Sequence, residues 1–355
     1  MIKRLFIAAL SGAALSVVMA ATTVYACAFH NYIPQDTVVD KLLRSQEIAL
    51  AVPVIEDPND PLRYDPIAAI GATPEDIDIP HRVDATAIQR LGKNPNAYAI
   101  FGREKYGAWT RLALVDGELI AVFDQIIARI EDWRGGDEND RLVFFGALLG
   151  HTEIRIHQLA LRELDRVEYG TLKNLGLSIP AEAITSGLYA VSDPTLLPIQ
   201  VLLLGLSKDS DVQRPLQAGL KVYSARPGPA FGAFATAFVE HGGPSAATEL
   251  SMRYLADVTL PLENRELIVE AFAIHSLSGD EETQNVVRGA VATLLHNEPS
   301  ITPVVARQFG GREDWSQAKL LADLLKAGHL TSPEDIIAVR EYVSLAGEAR
   351  ASKIK

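Results

Sequence analysis

One cysteine, Cys27, is all that this chain of 355 residues contains. That excludes an intrachain disulfide, a multi-cysteine zinc site and an iron–sulfur cluster. Positive charge is also short: 33 Lys and Arg stand against 45 Asp and Glu, a net charge of −12. Nucleic-acid phosphates are held by clustered Lys and Arg, so no nucleic-acid partner is expected. Catalytic fingerprints are missing too. There is no Gly-x-Ser-x-Gly elbow, no P-loop and no dinucleotide-binding glycine pattern. Gly228, Gly232 and Gly242-Gly243 lack its spacing. No cofactor and no catalytic residue follow from the residues. What the chain does have is apolar content, 48% against 22% charged. That is enough for large cores in two domains, or in one domain plus a repeat array.

The N-terminus reads as an export signal over residues 1–26. Lys3 and Arg4 form a short positive region, and Leu5 to Val18 is an apolar core too short for a comfortable membrane span. Cleavage fits after Ala20, in Val18-Met19-Ala20, or after Ala26, in Val24-Tyr25-Ala26. An uncleaved anchor over Leu5 to Ala26 is the rival reading. Val24-Tyr25-Ala26-Cys27 also resembles a lipobox, which implies lipidation of Cys27 and membrane attachment through it. Otherwise the chain is a soluble periplasmic protein. Losing the leader removes two positive charges and no negative one, so the net charge moves from −12 to −14.

Character changes near residue 117. From 27 to 117 the pattern predicts a short helix over Thr37 to Ser45, with Thr37 as its cap, and then about five strands. These are Ile48 to Ile55, Leu62 to Ile70, Ile77 to Val83, Ala97 to Arg103 and Trp109 to Val115. Pro53 should confine the end of the first strand to an edge or a bulge. Five short strands suggest a small β-barrel or sandwich. The order of Cys27, short helix, strands and Ala97-Tyr98-Ala99-Ile100-Phe101 resembles the netrin/tissue-inhibitor-of-metalloproteinase type of OB-like barrel over about a quarter of the chain. That resemblance implies protease inhibition through an N-terminal cysteine, for which only Cys27 qualifies. The family's disulfides have no counterpart here.

From 118 to 347 helix follows helix, with 348–355 read as a flexible tail. Leu119, Ile120, Phe123, Ile126, Ile127 and Ile130 form one stripe in Glu118 to Trp133. Further helices are predicted at 139–149, 151–167, 181–191, 194–206, 210–224, 228–240, 244–257, 262–277, 281–296, 301–309, 316–327 and 333–346. Starts recur: Thr195, Pro229 and Leu262 open first helices, and Ser210, Pro244 and Glu281 open second helices, about 35 residues apart. Leu148 to Leu164 and Leu202 to Leu220 resemble HEAT repeats, as does Ala271 to Leu295. In each, a turn residue caps a second helix carrying a base (Arg155, Arg214 or Arg288) and a small residue (Ala160, Ala218 or Ala290). This resemblance implies an α-solenoid, so the expected fold is α+β: a small barrel followed by a HEAT-like solenoid.

Cys27 and His30, with a free N-terminal amine, form the candidate metal site, suited to copper. His151 and His157 lie six apart and do not share a face as i, i+4 ligands would. Glu153 and His157 could form a surface pair. His241, His275, His296 and His329 fall at predicted helix ends, where imidazoles meet free carbonyls. Asp257, Glu263, Glu266 and Glu270 read as solvated acids. The expected function is that of an exported, non-enzymatic scaffold binding a protein partner on the solenoid surface. The alternatives are an enzyme or protease inhibitor acting through the β-domain, with a pocket near Trp109 to Trp133, and metal binding at Cys27 and His30.

Overall fold

The computed structural model describes residues 35–92, 94–188 and 193–352. The leader, Cys27 and His30 lie outside them. Helix α1 (Val38–Arg44) opens on a capping box. Thr37 accepts from the Asp40 N–H at 3.0 Å, and Asp40 accepts from the Thr37 N–H at 2.8 Å. Four strands follow: β1 (Glu47–Val54), β2 (Arg63–Ile70), β3 (Tyr98–Arg103) and β4 (Thr110–Val115). All pairs are antiparallel, in the order β2-β1-β3-β4.

This sheet is open, so the expected barrel is corrected. The predicted strand over Ile77 to Val83 does not form. Pro80 removes a donor there, and the run reaches the sheet region through the Val83 N–H at Leu62 O and the His81 ring at Trp109 O rather than through a ladder. Without a fifth strand nothing joins β2 to β4. Helix α2 (Ala85–Leu91) packs on one face of the sheet instead, and its Arg90 donates to Leu114 O of β4 at 2.7 Å. Helix α2 is not evident from the sequence reading; Asp84 caps it through the Ala87 N–H. Pro53 sits as expected. Ile48 to Ala51 pair on both sides, whereas Val52 to Val54 pair with β2 alone. The outer strand β2 carries Pro66 and a bulge at Ile67, both of which blunt a free edge.

Strand alternation feeds two cores. Ala49, Ala99 and Phe101 pack with Ala87, Leu91, Ile79 and Val83. Ile48, Tyr98 and Ile100 face the other way, into a large core shared with the helices. The first of these helices are α3 (Leu119–Arg134), α4 (Glu138–Ala147), α5 (Ile154–Leu164), α6 (Tyr169–Asn174) and α7 (Ala181–Gly187). Then come α8 (Leu197–Gly205), α9 (Gln213–Tyr223), α10 (Pro229–Leu250), α11 (Leu262–Ser278) and α12 (Glu281–Asn297). Helices α13 (Thr302–Gly310), α14 (Ala318–Lys326) and α15 (Pro333–Ser352) close the described chain. Helix α15 thus continues past residue 346, where the sequence pattern ended it.

Helices predicted at 228–240 and 244–257 form one element broken at Gly243. There φ is 58° and ψ is −143°, and a π turn over Ser251–Leu255 follows. Helix α8 packs on α10, α10 on α11 and α11 on α13. Each of these four is buried through most of its middle, while α9 and α12 bury a single stripe. The close approach depends on small residues. A Cβ on Gly205 would lie 2.6 Å from Ala237 Cα, and one on Gly219 would enter the Phe234 ring.

Candidate functional site

Connections between helices fall on two edges of this stack. The first edge holds the turns that follow α9, the π turn and α12. Asn264 and Arg265, in the first turn of α11, tie them together. Asn264 Nδ2 donates to Ser224 O at 2.5 Å, and Arg265 Nε donates to Leu255 O at 3.1 Å. The Arg265 guanidinium also pairs with Glu298, ahead of α13. Beneath the turns Tyr223 stacks on Phe234, and Phe231 meets Tyr254 edge-on.

Large apolar side chains stand out from this edge. Val222, Met252, Val258 and Leu262 are all exposed, Met252 at 68% and Val258 at 75%. The last three follow one another through the π turn and the connection into α11. Carboxylates rim them. Glu249 pairs with Arg253 at 3.0 Å. Hydrogen bonds from Thr259 hold Asp257 below the usual carboxylate range. The strip is thus an exposed apolar run bordered by charges of both signs, since exposed Lys221, Arg226 and Arg253 also flank it.

On the opposite edge the end of α8, the Gly243 break within α10 and the end of α11 lie side by side. His241 bonds Ser207 O at 3.2 Å, and His275 Nε2 bonds Thr236 O at 2.9 Å. Lys173, from α6, donates to Ser278 O at 2.8 Å and pairs with Glu240 at 2.7 Å. His275 is wholly buried, and burial, the largest influence, pushes its imidazole down. Tyr169 is buried against it, ring edge to ring face, with its phenol pushed up by burial and then by the charge of Glu240. Both rings are therefore neutral near pH 7, which suits a structural joint better than proton transfer.

A third polar cluster joins the sheet unit to the helices. Arg141 of α4 donates to Asp40 of α1 at 3.0 Å and pairs with the buried Glu163 of α5. Arg166 also pairs with Asp40. Asp116, after β4, is held by Arg90 of α2 and Arg155 of α5.

The residues singled out in the sequence distribute as follows. His157 is buried and bonds Leu149 O at 2.7 Å, so it does not meet Glu153, which caps α5 and pairs with Arg155. His296 bonds Ala292 O at 2.7 Å, and His151 receives the Glu153 N–H. Glu270 is not solvated: it is buried and pairs with Arg312 at 3.0 Å. The HEAT-like bases act in two of three cases, Arg155 on Asp116 and Arg288 on Ser276 O. Arg214 is exposed, and Gly219 rather than Ala218 makes the close approach.

An open cavity of about 470 Å³ lies between α1, β1 and α3, lined by Leu43, Arg44, Ser45, Gln46, Glu47, Gly71 and Arg134. Its charged groups are already engaged: Arg134 on Leu42 O, Leu43 O and Ser45 O, Arg44 on Asp36, and Glu47 on Arg103. Among the described residues no group of three His, Cys, Asp or Glu side chains is placed to hold a metal ion. Among them, too, no helix is long and apolar enough to cross a membrane.

No family model, no curated protein and no solved structure matches this chain.

Proposed function

We propose that this chain is an exported protein-interaction scaffold, held outside the cytosol and tethered through Cys27 when lipidated. In this reading its helices form a HEAT-like stack that docks a protein partner along the Val222–Leu262 edge. The observation that carries the proposal is the successive packing of α8 on α10, α10 on α11 and α11 on α13. Asn264 and Arg265 tie together the turns ahead of α10, α11 and α13, while His241, His275 and Lys173 link the end of α8, the part of α10 before its Gly243 break and the end of α11. Nearest-neighbour stacking of paired helices is how a solenoid builds an extended binding surface. The edge supplies an apolar strip with a charged rim of both signs, matching a segment with exposed apolar side chains between polar ones.

The test is a photoreactive residue placed singly at Val222, Met252 and Val258 of the full chain in living cells. Ile337 on α15, exposed at 62%, serves as an apolar control away from the edge. A discrete protein adduct at edge positions and none at Ile337 supports the proposal. Absence of adducts at all three edge positions refutes it.

A further inference from the structure

We infer that α6 is a pH-sensitive clasp closed over His275. The observation is a geometric mismatch at the centre of the molecule. His275 Nε2 donates to Thr236 O at 2.9 Å, which leaves Nδ1 as the bare, lone-pair nitrogen. That nitrogen is buried and has no hydrogen-bond partner. It faces Glu240 Oε2 at 3.7 Å, an acceptor facing an acceptor. A second proton on the ring would pair with Glu240, but Glu240 already holds Lys173 at 2.7 Å.

Among the described residues, the charged and titratable groups facing the ring come from two neighbours. Helix α10 supplies Glu240 and the Thr236 carbonyl, and α6 supplies Tyr169 and Lys173. Asp280, the cap of α12, acts on Lys173. Closure therefore disfavours the imidazolium by burial first and by the Lys173 charge as well, against the attraction of Glu240. An opened site returns the ring to water and to an ordinary value of about 6.5. Protons favour whichever state binds them better, so acid favours the open state.

Helix α6 is the element that gives way. It spans 6 residues, against 22 for α10 and 17 for α11. Its hold on the stack is Tyr169 over His275 and the buried Leu172, with Lys173 on Glu240 and Ser278 O. Gly176, with φ of 61°, comes one residue after the Leu175 cap and gives the backbone a ready pivot. Lifting α6 exposes the ring without separating α10 from α11. The clasp acts independently of whatever docks on the apolar edge.

Hydrogen exchange of the full chain, corrected for the intrinsic pH dependence of amide exchange, tests this. Amides of residues 169–174 should exchange about tenfold faster at pH 5.5 than at pH 7.5, the ratio set by protonating an opened imidazole of pKa about 6.5. In His275→Gln the α6 amides should show no such change. An equal acid effect in His275→Gln, or none in the native chain, overturns the inference. Should His275→Gln fold poorly, histidine ring NMR of the native chain decides. The inference requires His275 to stay the neutral Nε2–H form in every molecule with α6 closed. A ring that titrates near 6.5 while α6 remains protected contradicts it.

Discussion

Arg141 of α4 and Glu163 of α5 form an ion pair in which the carboxylate is wholly withdrawn from solvent and the guanidinium nearly so. The same guanidinium reaches Asp40 in α1, so one side chain ties the chain's first described helix to the helical region. Breaking a buried pair leaves an uncompensated charge, which costs about 3–5 kcal/mol. Arg141→Met should therefore lose stability in that range on denaturant unfolding. Adding Glu163→Leu should recover at least half of the loss, because both charges are then gone and Asp40 keeps Arg166.

The two acids of this cluster shift in opposite directions. Burial pushes Asp40 up, yet the Thr37 N–H, Arg141 and Arg166 outweigh it and its pKa falls. Burial, the largest influence on Glu163, outweighs Arg141 and raises that carboxyl. The contribution of Asp40 is present above its unfolded value of about 3.9 and lost as pH falls through its folded value. Asp40→Asn should thus flatten the acid limb of the stability profile below about pH 4. That of Glu163 is present below about 4.3 and fades as pH rises through its raised folded value, so Glu163→Gln removes a slope of opposite sign. Thermal melts from pH 3 to 7 read both.

Gly219 lies against the Phe234 ring with no room for a Cβ. Gly219→Ala should cost about 1–3 kcal/mol, the range for overpacking a filled core. Phe234→Leu in the same chain should return part of it, and a double-mutant cycle on urea midpoints measures the coupling. Gly289 on α12 has open space around it, and Gly289→Ala should be neutral or stabilising by up to about 1 kcal/mol.

Much of this fold is legible in the sequence because period and punctuation agree. The Thr37 cap, the Gly242-Gly243 break and the Asp280 cap each fix an element boundary. The failures share a cause. The run from Ile77 to Val83 is apolar enough for a strand and does bury Ile79 and Val83, but against a sheet face rather than in a ladder. Helices α2 and α6 are only 7 and 6 residues long, too short for a periodic signal. Of the functional surfaces, Val258 and Met252 looked like ordinary helix and turn residues. Their exposure depends on how α10 and α11 meet, which no local pattern encodes. Glu240 lies 35 residues from His275, so their meeting was equally hidden.

Met252→Asp with Val258→Asp should leave far-UV circular dichroism and the melting midpoint unchanged, since both side chains stand in solvent. The same pair should abolish the adduct formed from a photoreactive residue at Val222. Loss of helical signal would instead mean that these residues hold the stack together.

The most direct test sets the helical edge against the sheet unit as the place where a partner sits. Photoreactive residues at Val258 and at Ile67 on β2, both exposed, are compared in the same cells. The account predicts a defined protein adduct at Val258 and none at Ile67. An adduct at Ile67 with none at Val258 would contradict it, moving the partner to the sheet and leaving the helices as its support.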